Sequence, residues 1–118
     1  KDKIKESNIE GADLKNAQMK GADLSDTLMT GVFLSHANLS DANFTNSELI
    51  AADLTDSDLS RANFENAYMN HADLSGANLK LAINLTQEQI ETTFIDRGTI
   101  FPDTLSIVWV SDTEYEFK

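Results

Sequence analysis

The sequence predicts an all-β solenoid, a chain wound into stacked coils of very short strands. Three observations predict it. A large apolar residue recurs every five positions, a small residue stands two places before each, and a turn-forming residue often stands two places after. A period of five fits neither the 3.6 of a helix nor the 2 of a long strand. It fits a short strand followed by a corner. Internal repetition of this kind decides the architecture before any local propensity does.

The chain opens on a charged segment, residues 1–6, that stands outside the repeats and reads as frayed or as cut from a longer protein. From Ser7 to Leu81 there are 15 units in unbroken register. Their centres are Ile9, Leu14, Met19, Leu24, Met29, Leu34, Leu39, Phe44, Leu49, Leu54, Leu59, Phe64, Met69, Leu74 and Leu79. Two places before these centres stand ten Ala, three Ser, one Thr and one Val. On extended backbone, residues two apart face the same way, so both columns point inward and the residue between them, often Asp or Asn, points out. Leu14, Leu24, Leu34, Leu39, Phe44, Leu49, Leu54, Leu59, Phe64, Met69, Leu74 and Leu79 are therefore the candidate core.

The last two residues of each unit must turn the chain. Two places after the centre stand Gly11, Gly21, Gly31 and Gly76, with Asn at 16, 46 and 66 and Asp at 26, 41 and 56. These residue types tolerate the backbone angles of tight turns or hydrogen-bond their own main chain.

The units Ala-Asp-Leu-Lys-Asn (12–16), Ala-Asn-Leu-Ser-Asp (37–41), Ala-Asp-Leu-Thr-Asp (52–56) and Ala-Asp-Leu-Ser-Gly (72–76) resemble the A-[DN]-L-x-x unit of the pentapeptide-repeat family. That resemblance implies four units per coil, hence a right-handed quadrilateral β-helix of just under four coils. Residues 20 apart should then stack: Phe44 on Phe64, Asp41 beside Arg61, His36 beside Asp56, and Asp53 beside Asp73.

After Leu81 the register fails, and residues 82–118 read as a C-terminal cap. Thr86 is placed to cap a helix, with Gln89 completing a capping box and Leu85 and Ile90 forming a hydrophobic staple. The pattern predicts a helix over about 87–96, ended by Gly98, and a strand or extended segment over about 105–110. The run from Leu85 to Pro102 is similar to the tail of many cyanobacterial members of the family.

Chemistry is hard to find in this pattern. The chain has no Cys and two His, and His36 and His71 fall on different corners, where they cannot form a paired metal site. No glycine loop cradles a phosphate, no Ser has an evident base, and the carboxylates lie on a convex surface. No catalytic residue, cofactor site or metal site is expected. The net charge of −11 disfavours direct binding of nucleic acid or an anionic membrane, both of which need cationic side chains. No apolar run approaches the ~20 residues of a membrane helix. The compartment stays open: cytoplasmic, or periplasmic or thylakoid-lumenal if a signal has been removed.

The reading that follows is a non-enzymatic scaffold or protein-interaction module with an unidentified protein partner, monomeric or weakly dimeric. The alternative is a DNA-mimicking regulator of gyrase, because the resembling family includes the fluoroquinolone-resistance proteins. Outward positions are mostly polar, and the exceptions are Leu28, Phe33, Ile50 and Tyr68. Folded on a square, Leu28 and Tyr68 share one face with Ile50 at its edge, and Phe33 lies on the next. A patch of this kind is either a docking site or a seat for the chain's own tail or amino-terminal segment.

Overall fold

A computed structural model describes residues 4–118. Parallel bridges join residues 20 apart, from Asn8↔Leu28 through Asn63↔Ile83. They fall into four columns, so each coil has four sides. The first face carries Asn8, Leu28, Glu48 and Tyr68, and the second Asp13, Phe33, Asp53, Asp73 and Phe94. The third carries Gln18, Asn38, Asp58, Asn78 and Ile100, and the fourth Asp23, Asn43, Asn63 and Ile83.

One unit shows why the pattern repeats. Leu34 donates its amide to the Asp53 carbonyl at 2.8 Å, and Asp53 returns an amide to the Val32 carbonyl at 2.9 Å. The corner amide of His36 reaches the Thr55 carbonyl at 3.0 Å, and Ala37 closes the turn onto the Leu34 carbonyl at 3.1 Å. The main chain of each coil is thus hydrogen-bonded partly to the next coil and partly within its own corner. Every corner from Gly11 to Leu81 has a positive φ at the position two after the centre, between 55° and 72°. Glycine, Asn and Asp adopt this cheaply, but His36, Ala51, Arg61, His71 and Leu81 are held there by the ladders on either side.

The core is the interior of the square. Leu24, Leu34, Leu39, Phe44, Leu49, Leu54, Leu59, Phe64, Leu74 and Leu79 are 0% exposed and Met69 1%. Phe44 and Phe64 lie ring on ring, centroids 5.2 Å apart and 7° from parallel, as a 20-residue coil requires. Buried hydroxyls at the small positions are satisfied locally: Ser47 and Ser57 each donate to the carbonyl three residues back at 2.7 Å. Leu14 differs from the other core candidates. It is only half-buried, with Ile9 and Met19, because it sits in the first coil with no full coil beneath it.

The region after the repeats departs from expectation in three ways. The helix α1 spans Gln87–Glu91, not 87–96. Its start is as read, with the capping box of Thr86 and Gln89 formed on both sides. Its end comes early because Thr92 and Thr93 turn their hydroxyls onto the Gln89 and Ile90 carbonyls at 2.7 Å each. Phe94 then joins the second-face ladder, donating to Ala72 and accepting from Leu74. Gly98 consequently ends no helix. The extended segment 105–110 is narrower, β1 at Ile107–Trp109, and it pairs antiparallel with a second strand, β2 at Tyr115–Phe117. That hairpin packs Tyr115 and Phe117 toward the core, and Arg97 lies over the Trp109 ring at 5.2 Å. Burial, with the nearby Glu91 charge adding, raises the Tyr115 phenol above its ordinary pKa. Of the N-terminal segment 1–6, residues 1–3 lie outside the described residues. Ile4 packs against the core, and its carbonyl accepts from the Thr27 hydroxyl at 3.1 Å.

Candidate functional site

The outward column of each face is built to be wet and stiff. Its Asp or Asn carboxylate or amide oxygen accepts the backbone amide two residues on, as Asp53 does from Thr55 at 3.1 Å and Asn43 from Thr45 at 3.0 Å. Ser and Thr at those positions add a hydroxyl bond of 2.6–2.8 Å to the same oxygen, as in Ser60 to Asp58 and Ser40 to Asn38. Most polar groups of the faces are therefore engaged in holding the turns. The Ser25 hydroxyl and amide on Asp23 lower its pKa, which is this same effect.

Corner charges pair along the rod. Arg61 reaches Asp41 through Nε at 3.0 Å and Nη2 at 3.3 Å, which lowers the Asp41 pKa chiefly through that hydrogen bond. His36 Nε2 lies 3.6 Å from an Asp56 carboxylate oxygen. Both pairs are exposed and hold neighbouring coils in register without forming a pocket. Asp53 and Asp73 are neighbours on the second face, each already engaged with its own turn. Among the described residues no cluster of His, Cys, Asp or Glu could hold a metal ion.

The four apolar candidates are placed as follows. Leu28 is 37% exposed and Tyr68 58% exposed on the first face, two coils apart with Glu48 between them. Ile50 is half-buried at the edge of that face, one residue before the corner at Ala51. Phe33, 45% exposed, stands on the second face apart from the other three. No described residue of the hairpin pairs with the first-face ladder. Beside Tyr68 an open groove of about 560 Å³ runs along the corner between the fourth and first faces. Asn46, Asn66 and Asn84 line it together with Glu65.

Sequence reasoning missed Ile83, Phe94 and Ile100, each more than half exposed at the C-terminal end of its column. The register fails after Leu81, and Phe94 and Ile100 pair with Asp73 and Asn78 at separations of 21 and 22 rather than 20. An alternation of apolar and polar residues there would have been the only signal. Among the described residues no helix is long and apolar enough to cross a membrane.

A family model described as pentapeptide repeats matches residues 7–46 and 47–83. No curated protein matches. Solved structures do. A pentapeptide repeat protein, Rfr23, from the cyanobacterium Cyanothece 51142 is similar at 29% identity and a TM-score of 0.69, over 80% of this chain and 63% of that one. HetL, a pentapeptide repeat protein involved in heterocyst differentiation regulation in Nostoc sp. strain PCC 7120, is similar at 25% identity and a TM-score of 0.63, over 85% and 43%. The chain spans less than two thirds of either protein's length. The shared fold makes the four-sided winding a right-handed quadrilateral β-helix.

Proposed function

We propose, for a chain that belongs to the pentapeptide-repeat family, a non-enzymatic role: a stiff scaffold that docks a protein partner on its first face. The exposure of Leu28 and Tyr68 on a face otherwise made of polar residues is the observation that carries this reading. A rigid backbone keeps those two side chains at a fixed separation, so little ordering is needed on binding. Aromatic and aliphatic anchors ringed by polar groups supply most of the energy of typical interfaces. Glu48 between the anchors and Glu65 in the groove select a partner segment with Lys or Arg flanking its apolar residues.

The scaffold reading also takes the count of just under four coils, supported by ladders that run from Asn8 to Ile83 in steps of 20. It takes the 82–118 region as the piece that closes the C-terminal end. The burial of Ile90 at 0% and Leu105 at 6% against the last coil supports that role, since a stacked core with an open apolar end invites association.

Selection from a displayed random-peptide library tests the docking face. Binders should be enriched in apolar residues flanked by Lys or Arg. They should lose at least tenfold in affinity for a Leu28→Ser, Tyr68→Ser variant that keeps its circular dichroism. Equal affinity for the variant would sink the reading. The gyrase alternative gains no specific support: from Lys20 to Arg61 no cation intervenes, but the seven carboxylates there are spread over all four faces and three corners rather than along one stripe.

A further inference from the structure

Throughout the repeats the corner amide, two places after the centre, donates to the next coil. Asp26 gives to the Thr45 carbonyl and Asn46 to the Glu65 carbonyl, both at 2.9 Å. The rule survives the loss of register: His71 gives to the Thr92 carbonyl at 2.7 Å and Gly76 to the Asp96 carboxylate at 2.9 Å. From Glu6 to Gly76 the exception is Asn66, whose backbone amide has no partner among the described residues. The cause is local. A coil continued in register would bring the carbonyl of residue 85 to it, but Asn84 turns at φ 60° and Thr86 caps α1.

Asn66 lines the groove of about 560 Å³ beside Tyr68. One part of that groove is fully engaged. Gln89 and Thr86 hold each other in the capping box, Gln89 also donates to the Phe64 and Ala67 carbonyls, and Asn84 donates to Asn63 at 3.0 Å. The other part is free. The side chains of Asn46, Glu65 and Asn66 and the Tyr68 hydroxyl have no hydrogen-bond or ionic partner among the described residues. Elsewhere on the rod an outward Asp or Asn oxygen holds its own turn, as Asp53 and Asn43 do. Here unspent donors and acceptors collect around an exposed aromatic ring, on walls that the cap keeps still.

We infer that this groove binds a neutral saccharide, with hydroxyls on Asn46, Glu65 and Asn66 and one face of a sugar ring on Tyr68. The inference goes beyond the protein-docking reading and shares a single anchor with it, Tyr68. Chemistry selects the ligand. An anion would answer the amides but meet Glu65, and no Lys, Arg or His stands among the described residues of the lining. A Lys or Arg side chain would answer Glu65 but, having no acceptor, would leave the Asn66 amide unmet. An apolar ligand would strip water from every one of these groups. An extended peptide along the corner repeats its groups on one side every ~6.7 Å, whereas the corner residues recur every ~4.8 Å, so it falls out of step. A hydroxyl both donates and accepts, so closely spaced hydroxyls answer amide and carboxylate alike. The C–H face of a pyranose suits the negative face of the Tyr68 ring.

An array of neutral glycans, spanning glucose, galactose, mannose, xylose and N-acetylglucosamine linkages, tests the inference on this chain. The best-bound glycan is then titrated by calorimetry and by amide nuclear magnetic resonance. Its addition should move the Asn66 backbone amide resonance. Asn46→Gly and Asn66→Gly should each weaken binding about fivefold or more, the ordinary worth of one hydrogen bond. Glycine stands at the equivalent corners 11, 21 and 31 with φ of 69–71°, so both variants should keep the circular dichroism of the parent. Tyr68→Ser should abolish binding. Asn16→Gly, at a corner outside the groove, should leave it unchanged. So should Leu28→Ser, which removes a first-face protein anchor and touches nothing in the groove; failure of the docking reading is thus read separately. Silence of the whole array would overturn the inference, as would binding that survives both Asn46→Gly and Asn66→Gly. Binding restricted to anionic glycans would overturn it too, and so would loss of binding in Leu28→Ser, which would move the sugar to the first face.

Discussion

At the scale of single residues, the corners decide what the chain tolerates. Ala51 is exposed and sits at φ 58°, where an L-residue pays roughly 1–2 kcal/mol for the contact of its Cβ with the carbonyl. Glycine removes that cost but adds freedom to the unfolded chain, worth about 0.4–1 kcal/mol in the other direction. Ala51→Gly should therefore stabilise the protein by about 0.5–1 kcal/mol, read as a rise of a few degrees in melting temperature. An unchanged or lower melting temperature would mean that the ladders, and not the residue, set this angle at no cost. Gly76 is the opposite case. A Cβ there would run into the Asp56 carboxylate while φ stands at 72°, so Gly76→Ala should destabilise where Ala51→Gly stabilises. The corner glycines, Asn and Asp were legible in the sequence because they are cheap solutions to this geometry. His36, Ala51, Arg61, His71 and Leu81 carry no such signature, and only the period identifies them as corners.

At the scale of elements, α1 is too short to be stable by itself and is held by its first turn and its burial. Gln89 completes the capping box and also donates to the Phe64 and Ala67 carbonyls at 2.9 and 3.0 Å. Thr86→Ala should cost about 1 kcal/mol, the ordinary value of a lost cap. Gln89→Ala should cost about 2 kcal/mol, because the Ala67 carbonyl loses its side-chain donor and the Phe64 carbonyl keeps only the Ala67 amide. Chemical denaturation of both variants checks the order, and a larger loss for Thr86→Ala would assign the anchoring to the cap alone. This part of the fold was only half legible. The Thr86-x-x-Gln89 spacing signals a helix start whatever follows. The helix end was hidden because Phe94 continues a helical pattern in sequence, yet the open ladder beside Asp73 claims it. The hairpin was hidden because strands of three residues, joined through Ser111-Asp112-Thr113, carry neither enough alternation nor an Asn-Gly turn to announce it. The candidate face was legible to the extent that the period is, and the exposed Ile83, Phe94 and Ile100 fall where the period stops.

At the scale of the whole molecule, the repeat makes length a quantity that can be edited. Deleting Thr27–Asn46 joins Asp26 to Ser47, which is the same corner-to-face junction one coil later. The shortened chain should fold to the same circular dichroism with a lower melting temperature, since each interior coil adds its own interface. Deleting Thr27–Phe44 instead removes two residues fewer and puts corner residues into the core, and that chain should not fold. If both deletions fold alike, the register carries no structural information. The same ladders have a kinetic meaning. Through the repeats every inter-coil bond spans 19 or 21 residues, so each new coil closes a loop of one size at an entropic cost of about 2.7 kcal/mol. Absolute contact separation is thus fixed by the circumference of the square and does not grow with the number of coils. Chains of this build should fold as a zipper, slow to form the first pair of coils and then quick, with a rate that is nearly blind to how long the rod finally becomes.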